Sequence, residues 1–291
     1  MELNAPRPTV EIVYVAFGRR FIREAAISAA SAKRQMPKIW ISLVTDQNIS
    51  SPLFNKIRIV KSCPAGEDPV RFAKFHKATA ILDSAAERVL YLDADTYIAA
   101  DLTEVFSVLD HCDIACAHDT WRMAGVYQKL HPAMKLPEEP CWKTYFNTGV
   151  LLIKKTPLVE SFVRNWIDSF IADPRLQREQ IVFQRLIYDS GTRVHVLPTE
   201  MNVRASEPVQ ISGPVLILHR LCNFSAVPDW PSSSALLCDF LNTWTTNRVF
   251  TPHDGRLVIL TADFQLEERY LSEHTSTTEK EEYIIPDVTF N

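Results

Sequence analysis

The stretch Arg88-Val89-Leu90-Tyr91-Leu92-Asp93-Ala94-Asp95 drives an apolar strand directly into two carboxylates with one residue between them. Residues 89–92 form a near-continuous apolar run, the pattern of a parallel strand covered on both faces. Asp93 and Asp95 then fall at the carboxyl end of that strand, where open α/β sheets hold ligands. Two acids held this close repel each other unless a cation lies between them. Their hard oxygen donors suit Mg²⁺ or Mn²⁺, and an ion there would meet a phosphate.

Outward from this strand the chain alternates strands and helices. Strands are expected at 11–17, 39–44 and 57–60 before it, and at 113–117, 146–153, 193–197 and 215–219 after it. An alanine-rich helix is expected at 20–35, stopped by Pro37, and a second at 71–86. Asp101 with Glu104 resembles a capping box for a helix at 102–109. Thr156-Pro157 opens another helix with proline in its first turn, and 177–188 forms a further one ending near Gly191. From about 223 the pattern weakens into Pro/Ser-rich sequence and a charged tail at 267–282. The expected organisation is an α/β domain over 1–222 with a C-terminal extension over 223–291 packed on it.

Composition narrows the partners. The 291 residues are 46% hydrophobic and 23% charged, enough for a large core. A net charge of −4 supplies no global field for nucleic acid or an anionic membrane, so phosphate recognition must be local. The six cysteines show no CxxC pair or zinc-ribbon spacing, which fits a reduced setting. No apolar run approaches the roughly 20 residues that span a bilayer. The expectation is a cytoplasmic protein without a transmembrane segment, or one peripheral to a membrane through a partner. The seven glycines include no G-x-G-x-x-G and no P-loop, so neither familiar backbone cradle for phosphate is present. The counter-charge would come from the metal at Asp93 and Asp95 and from nearby Lys and Arg.

Over roughly 10–220 the order of motifs resembles the nucleotide-sugar glycosyltransferases of the GT-A fold, closest to the retaining family 8 enzymes and glycogenin-like proteins. Leu92-Asp93-Ala94-Asp95-Thr96 looks like their D-x-D motif, and Phe146-Asn147-Thr148-Gly149-Val150 looks like their F-N-[AST]-G-V segment. Lys77, Asp119 and Glu179-Gln180 each stand where the family has a counterpart. His219, closing a late apolar strand, would be the third metal ligand. The family's H-x-x-G-x-x-K-P-W continuation is absent, since Arg220-Leu221-Cys222-Asn223 follows.

The resemblance implies an α/β fold of GT-A type, a Rossmann-like mixed sheet flanked by helices. It implies transfer of a sugar, in the first place a hexose from UDP with retention, assisted by Mn²⁺ or Mg²⁺ on Asp93, Asp95 and His219. Ala16, Phe17, Gly18, Thr45 and Asp46 would line the nucleoside, and Ala94 would lie between the metal acids. Asp93 would also reach the ribose, and Lys77 a phosphate or a sugar hydroxyl. Asn147 and Gln180, able to donate and accept, suit sugar hydroxyls beside an oxocarbenium-like centre, with Glu179 and Asp119 beside them. Gly149 would let the backbone pack closely against the donor. An inverting reaction would need a carboxylate base, for which Asp119 or Glu138 stand nearest.

The acceptor, a glycan, a lipid-linked sugar or a protein side chain, would meet Trp121, Arg122, Tyr127 or Trp142. The alternative function is a non-catalytic module that binds a nucleotide sugar without transfer. A phosphatase of the haloacid-dehalogenase type needs Thr or Val where this chain has Tyr97. A sugar-phosphate nucleotidyltransferase needs a glycine-rich loop after the first strand, where only Gly18 occurs.

Overall fold

The computed structural model describes residues 8–61, 63, 68–123, 140, 142–174, 176, 178–205, 207–219, 230–244, 246–252, 255–261, 263–271 and 288–290. The first strands are β1 (Val10–Val15), β2 (Trp40–Thr45), β3 (Ile49–Ser50), β4 (Lys56–Ile59), β5 (Arg88–Leu92), β6 (Thr96–Ile98), β7 (Ile114–Met123), β8 (Thr144–Lys154) and β9 (Val194–Leu197). Seven of them form one sheet in the order β4-β2-β1-β5-β8-β7-β9. Its β4, β2, β1 and β5 are parallel, β8 runs antiparallel to both neighbours, and β9 is parallel to β7. This is the mixed sheet expected from the sequence.

The apolar run in β5 is continuous because both faces of the sheet are covered. Leu90 and Leu92 join one buried cluster with Ile12, Tyr14, Val150 and Leu152, while Val89 and Tyr91 join another with Val13, Leu151 and Ile153. Helix α1 (Gly18–Gln35) covers the first face with small side chains, including Ala25, Ala29 and Ala32, which let it lie close to the strands. Helices α2 (Pro69–Asp83), α3 (Pro157–Ala172) and α4 (Glu179–Ile187) cover the second. As expected, Thr156 caps α3, its hydroxyl accepting from Val159 N at 3.3 Å, with Pro157 in the first turn.

The antiparallel direction of β8 positions the site. Leu92 pairs with Val150, and Asp93 N donates to Gly149 O at 2.8 Å, so residues 144–149 run on past the end of β5. There they pair with β7 alone, through His118 with Phe146 and Met123 with Thr144.

Several elements differ from expectation. In place of the α-helix expected at 102–109, a 3₁₀ helix runs over Thr103–Asp110. Asp101 does not form the expected capping box: its Oδ1 accepts from Thr103 N at 2.8 Å and Thr103 Oγ1 at 2.6 Å, an Asx-type turn that tightens the entry. The strand expected at 215–219 is β12 (Ile217–His219) and lies outside the main sheet. It pairs with β6 on one side and β10 (Val203–Arg204) on the other. Strand β6 has three residues, too short for a periodicity signal.

Residues 230–271 pack against earlier parts of the chain. Strands β11 (Val209–Ile211), β13 (Arg248–Thr251), β14 (Arg256–Leu260) and β15 (Leu266–Tyr270) form one antiparallel sheet. Together with α5 (Trp230–Asn242) they share a cluster with Tyr97, Val203 and Leu218. The expected boundary at 222 lies outside the described residues. Strand β16 (Thr289–Phe290) pairs with β3, and the Arg19 guanidinium lies 5.1 Å from the Phe290 ring centre. The β14–β15 turn holds Phe264 at φ 62° with 82% of its surface exposed. Among the described residues no helix is long and apolar enough to cross a membrane.

Candidate active site

The turn after β5 presents Asp93 and Asp95 to His219, which ends β12 opposite Thr96. His219 Nε2 stands 3.7 Å from Asp93 Oδ2 and 3.5 Å from Asp95 Oδ1. One ligand atom from each of the three residues lies within 4.8 Å of the others. Cis ligands about 2.1 Å from an octahedral ion are about 3 Å apart, so this donor set fits a small divalent ion with a slight contraction. Gly149 completes the cradle. A Cβ there would collide with His219 Cε1 and stand 2.7 Å from Asp93 Oδ2. The close approach at this glycine is to His219 and Asp93.

Burial would raise the pKa of Asp93, but Lys77, Lys74 and His219 hold it well below the ordinary carboxylate value. Burial would raise Asp95 as well, and its contact with His219 outweighs that and lowers it. Both acids therefore stay ionised and ready for a cation at neutral pH.

Lys77 is 1% exposed beneath them. Its ammonium reaches Glu179 Oε1 at 2.7 Å, Thr148 O at 3.0 Å, Thr148 Oγ1 at 3.2 Å and Asp93 Oδ1 at 3.1 Å. Its charge stands behind Asp93, and all these contacts are to protein. Glu179, at the start of α4, also accepts from Thr148 Oγ1 at 3.0 Å, with Lys74 Nζ at 3.8 Å. Burial pushes its pKa up, and the two lysines pull it below the ordinary range. Glu179 is thus a buried anchor for two lysines and a threonine.

Asp119, at a bulged point of β7, gathers the next group. Its Oδ2 accepts from Asn147 Nδ2 at 2.9 Å, Gln180 Nε2 at 3.2 Å and Arg204 Nη1 at 2.9 Å, and its Oδ1 from Thr120 Oγ1 at 3.0 Å. Burial raises its pKa, but Arg204 and these donors bring it below normal. Asn147 Oδ1 accepts from Gly149 N at 2.9 Å and Asn202 Nδ2 at 3.0 Å. Gln180 Oε1 accepts from Thr148 N at 3.3 Å. The residues expected near the sugar do come together, tied through one carboxylate.

At the same carboxyl end of the sheet, beyond β1 and β2, Asp46 Oδ1 accepts from Gly18 N at 2.8 Å, where Gly18 has φ 78°. Phe17 packs on Phe72 and His76, with ring centres 5.6 and 5.3 Å away. Ala16, Thr45 and Ala94 are buried, leaving little side-chain surface for a ligand. On the other side of Asp119, a small cleft is lined by His118, Thr120, Thr199, Asn202 and Arg204. Trp142 is 69% exposed and meets Tyr188 edge to face at 5.8 Å. Tyr127, Glu138 and the side chains of Trp121 and Arg122 lie outside the described residues.

Sequence reasoning missed Lys74, Asn202 and Arg204. The available signal was the strand that carries Arg204: β10 runs parallel to β12, so its residues accompany His219.

Comparison with known proteins places the fold. The structure superposes on the galactosyltransferase LgtC, solved in complex with donor and acceptor sugar analogs, with a TM-score of 0.52 at 16% identity over 79% of this chain and 94% of that one. It superposes on the glycosyltransferase GlyE of Streptococcus pneumoniae TIGR4 with a TM-score of 0.52 at 19% identity, over 76% of this chain and 56% of that one. No curated protein sequence matches the chain. Residues 21–174, more than half of the chain, match the family described as glycosyl transferase family 8. An open mixed sheet of this kind is the GT-A fold of the nucleotide-sugar glycosyltransferases. The chain belongs to glycosyl transferase family 8 and is a glycosyltransferase.

Proposed function

We propose that this enzyme transfers a hexose from UDP-hexose to a hydroxyl acceptor with retention of configuration, using Mn²⁺ or Mg²⁺ held by Asp93, Asp95 and His219. The observation that carries the reading is the meeting of those three side chains, with His219 3.5 and 3.7 Å from the two acids, which come from the β5–β6 turn while the histidine ends β12. A divalent ion bound there supplies positive charge that stabilises the departing diphosphate. Lys77 and Lys74 hold the carboxylates of Asp93 and Glu179 ionised and in place. Asn147 and Gln180, fixed by Asp119, keep polar atoms beside the region where the sugar's anomeric carbon would lie.

Retention is supported by the state of Asp119. A general base needs a pKa near the working pH and an acceptor position open to the proton. Asp119 is held below the ordinary range and accepts four hydrogen bonds, one of them from Arg204. An inverting mechanism with Asp119 as base is therefore disfavoured. The cleft beyond Asp119 is the proposed entry for the acceptor, a hydroxyl of a glycan, a lipid-linked sugar or a protein. Cys112, Cys116 and Cys238 are buried thiols, in keeping with a reducing cytoplasmic setting.

The test is a panel of nucleotide sugars incubated with the protein and Mn²⁺, scoring release of nucleoside diphosphate with and without EDTA, beside the Asp93→Ala/Asp95→Ala variant. EDTA-sensitive hydrolysis of one UDP-hexose, absent in the variant, is the expected result. Binding of a nucleotide sugar without turnover, even when acceptor sugars are supplied, would favour the non-catalytic module. No binding of any donor would overturn the reading.

A further inference from the structure

We infer that Asn202 is a positioning residue: it fixes the ring of His219 with hydrogen on Nδ1 and a bare Nε2 facing Asp93 and Asp95. Its bearing on metal affinity rests on the metal reading above.

Two groups of the site have fixed hydrogen-bonding roles. The main-chain N–H of Gly149 can only donate, and the ionised carboxylate of Asp119 can only accept. Asn147 lies between them, its Oδ1 2.9 Å from Gly149 N and its Nδ2 2.9 Å from Asp119 Oδ2. Reversing that amide would set oxygen against carboxylate and N–H₂ against N–H, so its orientation is determined. Asn147 Oδ1 therefore faces Asn202 as an acceptor, and Asn202 must present its Nδ2, 3.0 Å away. The other end of the Asn202 amide is then oxygen, 2.7 Å from His219 Nδ1. Oxygen accepts only, so Nδ1 carries the hydrogen. In the neutral ring Nε2 keeps its lone pair, and Nε2 is the atom 3.5 Å from Asp95 and 3.7 Å from Asp93.

All members of the chain are enclosed. Asp119, Asn147, Asn202 and His219 are 3–5% exposed, so water does not offer an equivalent substitute. The arrangement also joins the two halves of the site. The amide that orients the metal-facing imidazole is bonded to Asn147, which is bonded to the carboxylate that holds Gln180 and Arg204.

A purely local role competes with this: Asn202 follows a 3₁₀ turn and its N donates to Thr199 O at 2.8 Å. That bond uses only the main chain and does not require an amide side chain. The two roles separate in experiment.

The first readout is the tautomer of His219, taken from ¹⁵N-imidazole NMR of the metal-free protein at pH 8, with His219→Gln to assign the signal. Wild type is expected to carry hydrogen on Nδ1, and Asn202→Ala to shift toward the Nε2–H form that free imidazole side chains favour. An Nε2–H ring in wild type, or the same tautomer in Asn202→Ala, would overturn the inference. The second is Mn²⁺ affinity by EPR. Loss of an outer partner of a ligating His costs about 10–100-fold in affinity, and Asn202→Ala is expected to show it. Asn202→Asp keeps an acceptor for Nδ1 and should recover most of that loss even if its melting temperature falls. Equal Mn²⁺ affinity in wild type and Asn202→Ala would sink the proposed role in metal binding. If wild type binds no Mn²⁺ while the tautomer shift is seen, the metal reading fails and the tautomer assignment stands.

Discussion

Lys77 Nζ lies 2.7 Å from Glu179 Oε1, with both side chains at most 4% exposed. The same ammonium stands 3.1 Å from Asp93 Oδ1, so one buried cation sits between two carboxylates from different elements. Removing one member of a buried ion pair costs about 3–5 kcal/mol because its partner is left uncompensated. Lys77→Met is expected to lower stability by about that amount in urea unfolding. Adding Glu179→Gln to Lys77→Met should recover part of the loss, since one of the stranded charges is then removed. A double variant less stable than Lys77→Met alone would show that the pairing is misassigned.

Gly149→Ala places a methyl group against the His219 ring and Asp93. The ring must move, and displacement of about 1 Å in a catalytic group can cost about 100-fold in rate. Donor hydrolysis by the variant should fall at least that far, with weakened Mn²⁺ binding. Activity within severalfold of wild type would mean that His219 has room to yield.

His76 gives a stability effect with a defined pH window. Burial, with help from Arg58 and against Asp83, lowers its pKa from 6.5 to about 4. The unfolded chain therefore binds a proton that the native protein refuses, so this contribution is present above pH 6.5 and is lost as pH falls toward 4. Asp119 and Glu179 are held below ordinary carboxylate values, so their contributions fade only below about pH 4. Replacing His76 with Gln should flatten melting temperature against pH between 6.5 and 4 relative to wild type. Parallel curves for the two proteins would remove His76 from the account.

Phe264 occupies the left-handed region at φ 62° on an exposed turn. A side chain there costs about 1–2 kcal/mol, offset in part by the greater freedom glycine gives the unfolded chain. Phe264→Gly should therefore stabilise by about 0.5–1 kcal/mol while leaving donor hydrolysis unchanged. A fall in melting temperature would show that the ring makes a contact that outweighs the strain.

What the sequence disclosed followed from the range of the interactions. The strand into Asp93 and Asp95, the run through Asn147 and Gly149, and the Thr156 cap are each written in a few consecutive residues. Asn202 and Arg204 carry no such local mark; their partners Asn147 and Asp119 lie 55 and 85 positions away. Lys77 and Glu179 each stood out in the sequence, but their contact with one another and with Thr148 did not, because only folding brings α2 against β8 and α4. The 3₁₀ turn at Thr103 escaped for the opposite reason. Its letters fit a helix start, and only the Asp101 side chain's bond to Thr103 N distinguishes the tighter turn.

The strand β8 changes occupation part-way along. From Val150 to Ile153 it is wedged in the sheet between β5 and β7, whereas from Phe146 to Gly149 it has outrun β5 and ends against Asp93 and His219. In a library of every single substitution along this segment, sorted once for cellular abundance and once for transfer, the two maps should part at residue 149. Variants beyond it should vanish from both. Many before it should persist as well-expressed, inert protein, so that the border between architecture and chemistry is readable from genotype alone.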